Sequence, residues 1–474
     1  MEVAGKSSAG AGAPVAVSGP MPAPGDRLSL ASKVFYGSGD IFGGGAMVII
    51  GFFFLFFMTE VAHLEPALAG LVLLVGKVWD AINDPLMGYL SDRTRSRFGR
   101  RRVYFLAGAL PIVVTFTLLW VVPPASSQWA LFAYFALISI LFDTVLTMVM
   151  VPYSALMQEM TTDYNERSSL TGWRMAFSNL SSLVAAVVPT IIVGAFAEAT
   201  TGYRMMGLAF GLFFALPWLG VFAFTTERRR EEAVTRFNLL TDARDTLMNR
   251  SFRSLIGVYL LTYLALDIVS AVIMYFMTYV VGRPGDVSIV LGLLLVLQLG
   301  ALPLFVYLAK KHGKRTAFFV GAAAWVALLP WLFLIGSSTP PWVIYVLAAL
   351  LGVATSGAGF APWAMFPDVL DVDEVVTGRR RQGVYSGVMT FLRKVSSALA
   401  LFIVGWAIGA SGYVAGESRQ TADFLLTVRI LVAFAPLIPV AVALLCARGF
   451  PITPAVHEAL RAEFAALTAE AADG

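Results

Sequence analysis

Lys77, Asp80, Asn83 and Asp84 fall within one hydrophobic stretch, 66–90, of about the length a helix needs to cross a bilayer. Separations of three, four and seven residues put all four on one helical face. On insertion scales an ionised side chain at mid-bilayer costs about 2.5 to 3.5 kcal/mol, so such a group needs partners and marks an ion or substrate path. Asp80 and Asp84, one turn apart, cannot both stay ionised cheaply without a compensating positive charge. Oxygen ligands suit hard cations, and two carboxylates, the Asn83 amide oxygen and the Thr147 hydroxyl from another helix make a set for a monovalent cation. A closed Lys77–Asp80 ion pair that only orders the helices is the competing reading. Pro85 has no amide hydrogen, which frees the Ala81 carbonyl beside the two acids.

Such residues need lipid-spanning elements to hold them. Hydrophobic residues make up 58% of the chain and charged residues 14%, with a mean hydropathy of +0.77. Apolar stretches recur near 34–58, 67–91, 103–122, 129–157, 169–199, 203–225, 253–281, 287–309, 316–336, 341–366, 382–411 and 421–447. They predict an all-α membrane protein of about twelve transmembrane helices. The net charge of +4 says less than its placement. Arg93, Arg95, Arg97, Arg100, Arg101 and Arg102 follow the second span, and Arg228, Arg229, Arg230, Arg236, Arg244, Arg250 and Arg253 occupy the central polar stretch. Lys310, Lys311, Lys314 and Arg315, then Arg379, Arg380 and Arg381, continue the alternation, whereas 59–66 and 123–128 carry no Lys or Arg. This positive-inside pattern places both termini in the cytoplasm, makes membrane lipid the surrounding partner, and argues against a nucleic-acid surface. An enzyme is also disfavoured: His63, His312 and His457 lie outside the spans, with no metal-ligand cluster or nucleophile–base pair. The lone Cys446 reads as a packing residue.

The polar stretch after Thr226 divides the spans into two sets of six. The expected organisation is a disordered cytoplasmic tail (1–32), an N-terminal six-helix bundle (33–226), a cytoplasmic linker (227–252), a C-terminal six-helix bundle (253–448) and a cytoplasmic tail (449–474). In the last, Val456, Leu460, Phe464 and Leu467 recur at helical spacing, predicting a short amphipathic helix. Gly88-Tyr-Leu-Ser-Asp-Arg93 ahead of Gly99-Arg100-Arg101, and Tyr307-Leu308 ahead of Gly313-Lys314-Arg315, suggest two parallel repeats. Gly43, Gly44 and Gly45 in the first span read as close packing or a hinge. Tyr259, Tyr263 and Asp267 recur every four residues, either lining a central cavity or bonding helices together. Arg393 and Lys394 are adjacent, so only one of them can face the cation site, and Asp143, one turn before Thr147, is open to either a structural or a functional role. The acidic run Asp368, Asp371, Asp373 and Glu374 would form salt bridges with basic cytoplasmic loops, as structural ties or as a gate.

Three strings carry a family resemblance: Trp79-Asp-Ala-Ile-Asn-Asp-Pro-Leu-Met-Gly88 with the following arginines, Val151-Pro-Tyr-Ser-Ala-Leu156 with Asn165-Glu-Arg167, and Pro367-Asp-Val-Leu-Asp-Val-Asp-Glu374 with Lys394 before Ser396-Ser397. The chain resembles the glycoside-pentoside-hexuronide:cation symporters of the major facilitator superfamily and is similar to melibiose permeases. The resemblance implies two six-helix bundles, alternating access and no covalent cofactor. It implies a sodium-type site of Asp80, Asn83, Asp84 and Thr147, with protons or lithium as alternatives and with Lys394 reaching it from the other half; Lys77, on the same face as the two acids, joins Lys394 as a coupling candidate. Asp40 and Arg174 are the implied substrate groups; Tyr263 and Asp267, by their spacing, are further substrate-binding candidates. Met150 and Ser154 stand where melibiose permeases place an Asp and a stacking Trp, so galactoside specificity is not implied. Arg93, Arg100, Asp368 and Asp371 are the gating candidates. The expected function is cation-coupled symport of a glycoside-type solute by a monomer in the cell (inner) membrane. The second string also resembles vertebrate sodium-dependent lysophosphatidylcholine symporters, which makes a lysophospholipid or another amphipath the alternative cargo.

Overall fold

The computed structural model describes residues 28–124, 127–161, 163–227, 244, 246–377 and 381–452. Among these, twelve helices are long and apolar enough to cross a membrane: α1 (Leu30–Phe54), α2 (Pro66–Arg93), α3 (Arg102–Leu119), α4 (Gln128–Met160), α5 (Asn165–Gly194), α6 (Ala199–Phe224), α7 (Arg250–Val280), α8 (Pro284–His312), α9 (Lys314–Leu334), α10 (Pro341–Glu374), α11 (Gln382–Ala410) and α12 (Ala422–Arg448). The described residues contain no strand. Most of the linker expected at 227–252, the tail before residue 28 and the amphipathic helix expected after 452 lie outside the described residues.

One boundary differs from expectation for a physical reason. α10 runs two turns past 366, through Pro362 and Pro367. Its acidic residues are therefore helical rather than looped: Asp368 pairs with Lys314 at 2.6 Å and Asp373 with Arg381 at 2.6 Å. The π-turn Ile50–Phe54 ends α1 and a second, Phe57–Val61, follows it, and Phe276–Val280 ends α7, the first helix of the second set. Such turns shift the side-chain register where a helix must meet a partner.

α2 and α11 cross closely because both carry glycine at the crossing. A Cβ on Gly405 would lie 2.6 Å from the Pro66 carbonyl oxygen, and one on Gly70 would lie 3.1 Å from that of Phe402. Thr59 and Tyr275 join the two sets through hydroxyls 2.5 Å apart, and Tyr413 bonds Glu60 beside them. Burial pushes the Tyr413 hydroxyl well above its ordinary value, so it remains protonated as the donor to Glu60. Thr190 meets Ser288 at the same end. The halves thus close on the side away from the arginine-rich loops. Trp129, Trp331, Trp342 and Trp406 are exposed there, as in an interfacial aromatic belt. Trp363 and Ser154, nearer the arginine-rich side, are exposed.

The arginine-rich loop is itself ordered by acids. The Glu227 carboxylate accepts the backbone N–H groups of Arg100, Arg101 and Arg102 at 2.8, 2.8 and 2.6 Å, capping the otherwise open N-terminus of α3. Arg101 reaches Asp92 at 3.0 Å, and both Arg100 and Arg101 reach the buried Glu159. Burial opposes the Arg100 charge, but the hydrogen bond to Glu159 and the charges of Glu159, Asp92 and Glu227 together outweigh that and hold the guanidinium above its ordinary value.

Candidate cation and cargo site

Helical periodicity brings Asp80, Asn83 and Asp84 to the face of α2 that meets α4 and α11. Asp80 and Asn83 are buried. Thr147 Oγ1 of α4 lies 3.1 Å from Asp80 Oδ1 and 3.1 Å from Asp84 Oδ1. Lys394 of α11 places Nζ 2.9 Å from Asp80 Oδ2, 2.5 Å from Asp84 Oδ2 and 3.4 Å from the Asp80 carbonyl oxygen. The ammonium is the counter-charge to two acids one turn apart within a span. The Asn83 Nδ2 is buried with no partner among the described residues. Two carboxylates and a hydroxyl that meet around the Lys394 ammonium are oxygen groups of the kind that suits a small monovalent cation.

The Lys77–Asp80 pair offered by the sequence as the competing reading is not formed. Lys394 takes that acid, while Lys77 Nζ makes its one hydrogen-bond contact among the described residues with Met47 Sδ, at 3.9 Å. Asp143 of α4 is buried and makes no hydrogen bond among the described residues. It faces Lys77 across a cavity of about 20 Å³ that the buried Ser139 also lines.

A larger cavity of about 590 Å³ adjoins the site. Lys77, Asp80 and Lys394 line it with Tyr263, Asp267 and Arg393, and its remaining wall is mainly aliphatic and aromatic. Arg393 takes the direction Lys394 does not: it is bidentate to Asp267 at 2.7 and 2.9 Å and lies 5.0 Å from the Tyr263 ring centre. Trp363 Nε1 donates to the Tyr263 hydroxyl at 2.9 Å. Sequence reasoning missed the roles of Arg393, Trp363 and Ser139; only the rarity of an arginine inside a span marked the first. The other expected substrate groups lie elsewhere, among α1, α4 and α5. Asp40 pairs with Arg174 at 3.2 Å, and Arg174 lies over the Tyr153 ring at 4.7 Å. Gly43 gives Met150 room beside Asp40, since a Cβ there would meet Met150 Cε at 2.7 Å and Asp40 Oδ1 at 3.1 Å. Of the gating candidates, Arg93 stacks on Tyr89 at 4.1 Å, Arg100 holds Glu159, Asp368 holds Lys314, and Asp371 lies on the same helix as Asp368.

Twelve apolar helices in two sets, with an ion-paired cluster buried between them, define a membrane carrier of the major facilitator fold. The chain matches the family model described as MFS/sugar transport protein over residues 35–454, and it belongs to that family of transporters, not to a family of enzymes. It is 32% identical to the uncharacterized symporter sll1374 of Synechocystis sp., over 93% of this chain and 97% of that one. It is 26% identical to the sodium-dependent lysophosphatidylcholine symporter 1-A of Danio rerio, over 85% and 82%. It is 28% identical to the inner membrane symporter YicJ of Escherichia coli, over 89% and 90%. Its fold is shared with a bacterial homolog of the human lysosomal transporter Spinster, at a TM-score of 0.66 and 14% identity, covering 90% of this chain and 98% of that one.

Proposed function

We propose that the protein is a sodium-coupled symporter working as a monomer in the cell (inner) membrane, with the arginine-rich loops and both termini in the cytoplasm. The observation that carries this is the shared occupation of Asp80 and Asp84 by Lys394 from the other half. A sodium ion entering the ring of Asp80, Asn83, Asp84 and Thr147 competes with that ammonium and releases it. Lys394 already lines the larger cavity, so its freed charge turns toward the cargo. Sodium binding thereby raises cargo affinity, and cargo raises sodium affinity by the same factor. One charge moving down 100 mV supplies about 2.3 kcal/mol, enough for somewhat under a hundredfold accumulation before the ion gradient is counted. The state described here, closed on the side of Thr59 and Tyr275, is then the inward-facing one.

For the cargo, the cavity favours an amphipath of the lysophospholipid type. A mainly apolar wall ends in a cluster of Lys77, Asp267, Arg393 and Lys394, which fits a molecule with a polar head and an apolar tail. A glycoside is the second reading, supported by the family's description and by Asp40 and Arg174, whose groups suit sugar hydroxyls. Uptake into proteoliposomes tests both. Influx of a lysophospholipid should rise with an inward sodium gradient and vanish in Asp84→Asn, and excess glycoside should leave it unchanged. Flux that ignores the gradient would show an uncoupled carrier, and competition by glycosides would favour the second reading.

A further inference from the structure

Lys77 and Ile50 line both cavities, and Lys77 is the charged one of the two. A partly buried ammonium inside a span needs counter-charge, yet the two nearest acids on its own helix are taken by Lys394, and Lys77 forms no ion pair among the described residues. On its other side lies Asp143, buried and without a hydrogen bond, with the unpartnered Ser139 hydroxyl in the same cavity. That cavity, about 20 Å³, is close to the space of one water, and the lysine and the acid both line it.

We propose that Lys77 recognises an anionic oxygen group on the cargo, and that Asp143 is the carboxylate to which its ammonium returns when the cargo leaves. The proposal rests on reading the 590 Å³ cavity as the cargo site. Recognition is by the shared chemistry of a phosphate or a carboxylate: three ammonium hydrogens directed at anionic oxygens in a cavity whose apolar walls strengthen the attraction. Arg393 cannot serve equally, because its guanidinium is already bidentate to Asp267. Lys394 becomes available only after sodium has taken its place. Lys77 is therefore the group that distinguishes charged from neutral cargo before the cation arrives, and Asp143 sets how readily it is given up.

The test is tryptophan-fluorescence titration of the full chain in lipid nanodiscs, in sodium-free buffer, with hexyl phosphate, phenyl glucuronide and neutral hexyl glucoside. The wild-type protein should bind one or both anions more tightly than the glucoside; the tighter anion tells whether a phosphate or a sugar acid is the better source of the charge. Lys77→Gln should weaken anion binding by about tenfold or more and leave the glucoside unchanged, while Lys77→Arg should keep the preference. Asp143→Asn should tighten anion binding severalfold, and that gain should disappear when Lys77→Gln is combined with it. Absence of any anion preference in the wild-type protein, unchanged anion binding in Lys77→Gln, or equal loss of charged and neutral ligands would overturn the proposal. A gain in Asp143→Asn that survives in the double variant would remove Asp143 from it. Adding sodium afterwards tests the symport reading separately, since a protein that prefers anions but shows no sodium response keeps the role of Lys77 and loses coupling.

Discussion

Thr147 has one hydroxyl proton and two acids at equal distance, so it can donate to only one of them, and its lone pairs remain for a cation. Thr147→Val should weaken sodium binding by about tenfold while leaving the fold intact, as read by calorimetric titration; unchanged affinity would remove the hydroxyl from the site. Lys394 makes a complementary case. Removing one partner of a buried ion pair costs about 3 to 5 kcal/mol, because the other charges are left uncompensated. Lys394→Gln should therefore be less heat-stable without sodium, and sodium should raise its Tm more than it raises that of the wild-type protein. Equal increments would show that ammonium and sodium do not compete. The face shared by Lys77, Asp80, Asn83 and Asp84 was legible because helical spacing is a local property. That Lys394 reaches this face followed only from family resemblance, and that Asp267 takes Arg393 depends on the packing of α7 against α11, which no local spacing encodes.

At the scale of elements, the crossing of α2 and α11 allows no side chain at Gly405, where a Cβ would stand 2.6 Å from the Pro66 carbonyl and 2.9 Å from Gly70 Cα. Gly405→Leu should force the two helices apart and shift the population toward the state open on that side. Spin-label distances across the crossing should lengthen; unchanged distances would mean that this contact does not define the closed end. At the opposite side, Glu159 joins Arg100 and Arg101. Glu159→Gln should lower the Tm by leaving two guanidinium groups short of a carboxylate, and Glu159→Asp should recover part of the loss. Span number and order were readable from apolar runs, since bilayer thickness sets helix length. The extension of α10 to Glu374 was not, because charged residues beyond the bilayer look like a loop until Lys314 and Arg381 supply their partners.

For the whole molecule, two sets of six helices closed at one end, with Lys394 of one set paired to Asp80 and Asp84 of the other, form in the proposed mechanism a device with two inputs, the cation and the cargo. In that proposed mechanism sodium replaces an internal positive charge, so that the energy of the gradient enters at Asp80 and Asp84 and leaves as freed charge in the cavity. Calorimetric titration of sodium into the purified protein in a potassium buffer tests this most directly. The expected result is saturable binding at one site in the wild-type protein and none in Asp84→Asn. Absence of binding to the wild-type protein, or the same isotherm in Asp84→Asn, would contradict it.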